Sequence, residues 1–137
     1  MTNHNYCILL AGGVGKRLWP VSRERKPKQF IDFFGVGRTL LQLTFDRISR
    51  FIPIENIYVS TFADYVPLVK TQLPELKAEQ ILAEPAQLST APAAAWGSWY
   101  IGQRDAEACI VASPADQFIT NEAAFEQELL QGLDYVR

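Results

Sequence analysis

The chain has 137 residues, 48% of them hydrophobic and 20% charged, with a formal net charge of −2. That length accommodates one domain with a real core, and the acidic balance argues against a general nucleic-acid or membrane-surface binder, which carries a positive excess. No apolar stretch approaches the length that crosses a bilayer, and the opening Met1-Thr2-Asn3-His4-Asn5 lacks the charged and apolar regions of a signal peptide, so a cytoplasmic location is expected.

Tyr6–Ala11 (YCILLA) is a continuous apolar run, the pattern of a strand buried on both faces. Arg38–Phe51 reads as a helix: Thr39 and Gln42 have capping-box spacing, and Leu41, Phe45 and Ile48 share one face. Asn56–Phe62 is a second strand, rich in β-branched and aromatic residues. Asp64 is placed to cap a short helix running to about Leu73, with Pro67 in its first turn. Gln80–Ala83 reads as a short third strand leading into Glu84-Pro85. Ser89 or Thr90 is expected to cap a helix over Ala91–Arg104, and Ala108–Ser113 is a fourth strand ending at Pro114-Ala115-Asp116. Thr120 or Asn121 starts a last helix with Phe125, Leu129, Leu133 and Val136 along one face. Four such βα units imply an α/β fold with a mostly parallel sheet covered by helices. Ligands of such folds bind beyond the carboxyl ends of the strands, where three segments are expected to converge: Gly12–Arg17, Glu84–Pro92 and Pro114–Gln117. Cys7 and Cys109 lie inside strand-like runs and read as reduced core thiols, and a single histidine, His4, leaves no basis for a His-based triad or a His-ligated metal.

The segment Leu10–Phe30 carries the chemistry. Gly12, Gly13 and Gly15 follow the first strand directly, and Lys16, Arg17 and then Lys28 supply cations. A glycine-rich turn lets backbone N–H groups converge on an anion, so this is the layout of a phosphate site. It is not a Walker loop, because Gly15-Lys16 is followed by Arg17 where Mg²⁺ binding needs a hydroxyl. It is not a dinucleotide fingerprint either, because Leu18 stands where the third glycine is required. Two plainer readings remain open: a tight turn with incidental cations, and a basic patch for nucleic acid.

Leu10-Ala11-Gly12-Gly13-x-Gly15-x-Arg17-Leu18-Trp19-Pro20, then Ser22-Arg23, then Pro27-Lys28-Gln29-Phe30, resembles the signature of sugar-phosphate nucleotidylyltransferases, most of all the bacterial mannose-1-phosphate guanylyltransferases. Glu84-Pro85, Thr90-Ala91-Pro92 and Pro114-Ala115-Asp116 follow in the family's order. The resemblance implies a Rossmann-like fold of the nucleotide-diphospho-sugar transferase type, of which these residues are the single, incomplete N-terminal nucleotide-binding portion. It implies nucleotidyl transfer from GTP to mannose 1-phosphate, with Mg²⁺ as cofactor. Gly12, Gly13 and Gly15, with Lys16 beside them, would wrap the triphosphate, and Leu10, Ala11 and Gly12 would meet the base. Arg17 would bind the leaving phosphates, Lys28 would bridge the α-phosphate and the sugar phosphate, Asp116 would bind Mg²⁺, and Glu84-Pro85 would face the guanine, with Thr90 closing the nucleotide side.

The family's Glu-Pro-x-Gly-Arg-Asn-Thr-Ala-Pro becomes Glu84-Pro85-Ala86-Gln87-Leu88-Ser89-Thr90-Ala91-Pro92, and the usual His after Pro-Ala-Asp is Gln117. A cation and a flexible backbone point beside the nucleotide are therefore absent. These changes keep two alternatives open: a non-catalytic nucleotide-binding or regulatory paralogue, and an enzyme for another nucleotide or sugar. The chain stops at Tyr135-Val136-Arg137 inside a helical pattern, so the expectation is an interrupted domain, inactive alone. Exposed strand edges would then favour self-association.

Overall fold

The apolar runs become four strands: β1 (Asn5–Leu10), β2 (Ile57–Phe62), β3 (Ile81–Glu84) and β4 (Cys109–Pro114). In the computed structural model, which describes residues 3–137, they form one parallel sheet in the order β3-β2-β1-β4. Strand β1 pairs on both sides, Cys7 opposite Ile57 and Val111, and Cys7, Ile8 and Leu9 are fully buried. This central position explains its unbroken apolar run.

Four helices alternate with the strands: α1 (Leu40–Ile48), α2 (Val66–Gln72), α3 (Thr90–Gly102) and α4 (Glu122–Val136). Helices α1, α2 and α4 supply Leu41, Phe45, Ile48, Val69 and Leu133 to a core with Cys7, Leu9, Ile57 and Val59 on one sheet face. Helix α3 covers the opposite face, where Ile101, Trp96 and Tyr100 pack with Ile8, Tyr58 and Leu82. The sheet grows outward from β1 to β2 to β3, and the chain then returns through α3 to place β4 on the other side of β1. That reversal opens a crevice at the carboxyl ends of β1 and β4.

Several local expectations shift. The first helix is shorter than Arg38–Phe51, but its capping box is present: the Thr39 hydroxyl accepts from the Gln42 N–H, and the Gln42 side chain accepts from the Thr39 N–H. Asp64 does not cap α2. It lies in a 3-10 turn, Ala63–Tyr65, which runs straight into the helix, so no extended residue stands at the cap. Ser89 occupies the position before α3 without a side-chain capping bond, and its φ of 74° and ψ of −172° depart from the extended backbone of a capping residue. Asn121 does cap α4, accepting from the Ala124 N–H at 3.1 Å. Val136 leaves the apolar face of α4 and is 65% exposed, whereas Leu133 is buried and Phe125 and Leu129 pack against the core. Strands β3 and β4 each begin and end one residue later than the pattern suggests, and β1 and β2 are displaced by one residue at one or both ends. No helix among the described residues is long and apolar enough to cross a membrane.

Candidate active site

Beyond β1 the chain runs through Gly12–Gly15 into a 3-10 turn, Lys16–Leu18. Gly15 has φ +64°, and a Cβ there would lie 2.4 Å from the Ser22 Oγ, so the turn needs glycine for both backbone and space. Ser22 is buried and donates its hydroxyl to the Val14 carbonyl at 3.1 Å. A second 3-10 turn, Lys28–Phe30, returns beneath the loop. From it Gln29, only 3% exposed, donates one amide hydrogen to the Ala11 carbonyl at 2.9 Å and the other to the Gly13 carbonyl at 2.8 Å. The Thr61 hydroxyl also donates to the Ala11 carbonyl, at 2.9 Å. The loop's carbonyls are thus turned inward onto side-chain donors.

The loop borders a cleft of about 920 Å³. From the glycine segment the cleft is lined by Leu10, Gly12, Gly13, Gly15, Lys16 and Arg17. Lys28, Glu84, Thr90 and Asp116 complete the meeting of the three strand-end segments. Ala11 and Pro85 are not on its lining: Ala11 is buried beneath the loop, and Pro85 is exposed beside Glu84. Glu84 is 8% exposed and its Oε1 accepts from the Ser60 hydroxyl at 2.9 Å, which fixes the carboxylate at the end of β3.

Two features of the cleft set its electrostatics. Lys28 and Asp116 form an ion pair, each side chain about a quarter exposed. Lys16 and Arg17 have no carboxylate partner among the described residues. The cleft therefore offers two cations without a carboxylate partner among the described residues and a neutralised cation–carboxylate pair, beside a glycine loop against which Lys28 packs. That combination suits a multiply charged anion.

Sequence reasoning passed over two positioning residues. Gln29 and Ser22 both stand inside the motif segments Ser22-Arg23 and Pro27–Phe30, but their roles depend on which carbonyls the fold brings to them. A third contact comes from the altered companion loop, where the Gln87 side chain donates to the Gly12 carbonyl at 3.2 Å. Gln87 thereby tethers the loop after β3 to the glycine loop.

Residues 6–131 match the nucleotidyl transferase family, NTP_transferase. The chain belongs to this family. It is 36% identical over 124 residues to the alginate biosynthesis protein AlgA of Pseudomonas putida, covering 89% of this chain and 25% of that protein. It is 34% identical over 124 residues to the mannose-1-phosphate guanylyltransferase of Klebsiella pneumoniae, covering 89% of this chain and 26% of that one. Among solved structures, the mannose-1-phosphate geranyltransferase of Thermus thermophilus superposes with a TM-score of 0.81 at 29% identity, over 94% of this chain and 37% of that one. The chain spans about a quarter of the length of these curated relatives. Its sheet and helices are those of a nucleotidyl transferase, and the cleft sits where the strand order of that fold reverses.

Proposed function

We propose that this chain is the N-terminal nucleotide-binding portion of a longer, cytoplasmic mannose-1-phosphate guanylyltransferase, and that it grips GTP in the cleft beyond β1. The observation that carries the reading is a preorganised glycine loop that shares one cleft with Lys16 and Arg17, unpartnered among the described residues, and with the Lys28–Asp116 pair. The similarity to mannose-1-phosphate guanylyltransferases supports the choice of GTP and mannose 1-phosphate.

In the reaction an oxygen of the sugar 1-phosphate bonds to the α-phosphorus of GTP. The bond from that phosphorus to the α,β-bridging oxygen breaks, and its electron pair leaves on pyrophosphate. Catalysis of this transfer is mostly positioning and charge stabilisation. Arg17 faces the leaving phosphates, where negative charge grows. Lys28, released from Asp116, holds the α-phosphate and the incoming sugar phosphate together. Glu84, fixed by Ser60, is a hydrogen-bond acceptor for the N–H edge of guanine.

The family implies Mg²⁺. Among the described residues no group of three or more His, Cys, Asp or Glu side chains could enclose a metal. Of the two carboxylates lining the cleft, Glu84 is engaged by Ser60 and Asp116 already holds a cation, and Mg²⁺ is commonly held by one or two carboxylates plus substrate phosphates. The donor set fits in that mode. Bound there, the ion would neutralise phosphate charge, and Asp116 is the residue that would hold it.

Calorimetry of the chain with GTP and Mg²⁺, set against other nucleoside triphosphates, tests the reading. GTP is expected to bind best, and Arg17→Ala to weaken it about tenfold or more, since a charge-assisted contact is lost. Equal binding of every triphosphate, or an unchanged Arg17→Ala, would defeat it. GDP-mannose formation is expected from the longer protein and not from these 137 residues alone. The altered Gln87-Leu88-Ser89 and Gln117 positions motivate one alternative, a nucleotide-binding paralogue without turnover, in which GTP binds the longer protein but no GDP-mannose forms.

A further inference from the structure

Behind the glycine loop lies a second cavity of about 680 Å³ that the proposed reaction does not use. Lys16, Trp19, Ser22, Arg23, Glu24 and Arg25 line it, three cations against one carboxylate. Lys16 and Val14 line both this cavity and the main cleft, so the two spaces adjoin along one short piece of backbone. Ser22, which pins that backbone through the Val14 carbonyl, is part of the second cavity's wall.

The charge here is far from that of the chain as a whole. Lys16–Lys28 contains six cations and one acid, Glu24, in a protein of net charge −2. Among the described residues Lys16, Arg23, Arg25 and Lys26 pair with no carboxylate. Of the two arginines, Arg23 is held and Arg25 is exposed. Arg23 and Lys26 exchange backbone hydrogen bonds of 3.3 and 2.9 Å in a tight turn, and the Arg23 Nε donates to the Pro20 carbonyl at 3.2 Å. Trp19 is 76% exposed at the same cavity, an unusual position for an indole. Two guanidiniums and one ammonium against a single carboxylate leave the cavity net positive, which suits a phosphate group.

We infer that this cavity is an exit subsite for inorganic pyrophosphate, in which Arg23 and Arg25, with Lys16 shared from the main cleft, hold the leaving group once it has separated from the α-phosphate. The inference rests on the nucleotidyl-transfer reading and assigns it a product path. Lys16 is the hinge of that path, because it faces both cavities. The product carries its negative charge on only two phosphates, and a second set of cations beyond the leaving-group end draws it away from the reacting centre.

The test uses calorimetric titration of the chain with inorganic pyrophosphate, with Trp19 fluorescence as the local reporter and Trp19→Phe as its control. The expected result is saturable binding that changes Trp19 emission. In Arg23→Gln/Arg25→Gln pyrophosphate affinity is expected to fall about fivefold or more, the worth of exposed charge contacts, while GTP affinity stays within about twofold. Arg25→Gln alone, which leaves the Arg23–Pro20 contact intact, is expected to show a smaller loss and guards against a misfolded turn. Sulfate at matched ionic strength is expected to give no saturable signal. Unchanged pyrophosphate affinity in both variants, a silent Trp19, or equal competition by sulfate would overturn the exit subsite while GTP binding still stood. Failure of the unaltered chain to bind either GTP or pyrophosphate would overturn the subsite together with the reading on which it rests.

Discussion

Both side-chain amide hydrogens of Gln29 point at carbonyls of the glycine loop, and no other side-chain type of that length presents two donors without a charge. A carboxylate in its place has nothing to donate and sets a negative charge against two carbonyl oxygens. Gln29→Glu is therefore expected to destabilise the fold by about 2–4 kcal/mol, read as a lower urea midpoint at unchanged slope, and to abolish nucleotide binding. An unchanged midpoint would show that the loop holds its shape without this anchor. The glycines, Arg17 and Lys28 are legible in the sequence because their residue types carry the chemistry themselves. Gln29 is not, because a lone polar side chain gives no sign of its partners until the fold brings Ala11 and Gly13 above it. Ser89 shows the opposite failure: a good capping residue by type, it sits at a backbone angle natural to glycine, and the cap is lost.

Helix α3 is the sole cover of one sheet face among the described residues, and it approaches β1 through Gly97. A Cβ at that position would lie 2.7 Å from the Ile8 Cδ1, within the buried core. Gly97→Ala gains about 1 kcal/mol of helix propensity but overfills the interface, which costs about 1–3 kcal/mol. The expected net effect is a loss of about 1 kcal/mol in chemical denaturation. Adding Ile8→Val removes the offending methyl and is expected to restore part of that loss, and a purely additive double variant would refute the contact. The helices and strands themselves were readable from apolar runs and from the Thr39–Gln42 box. Their ends were not, because hydrogen bonds such as the one from the Ala115 N–H to the Leu10 carbonyl extend β4 past the apolar pattern.

Across the whole molecule, the N-terminal strand is tied to the connection before β4 by His4, whose Nδ1 lies 2.8 Å from the Asp105 carboxylate. This hydrogen bond, followed by the Glu107 backbone N–H and the Tyr6 hydroxyl, holds the Asp105 carboxyl below the usual carboxylate range. A carboxyl lowered in the folded state stabilises above its unfolded pKa, and the benefit is lost as the pH falls through the folded value. The Tm difference between the unaltered chain and Asp105→Asn is expected to be full near about pH 5 and to close below about pH 4. A difference that persists at low pH would remove Asp105 from the acid limb. The βα order and the meeting of three strand-end segments could be read from the sequence, since both follow from topology. The Lys28–Asp116 pair could not, because its partners meet only when β4 returns beside β1. That pair makes the cleft behave as a coincidence detector. A bare anion reaching Lys28 would strand the Asp116 carboxylate, and a bare cation reaching Asp116 would strand the ammonium. A guest that presents both signs of charge together, such as a metal-chelated triphosphate, exchanges one satisfied arrangement for another.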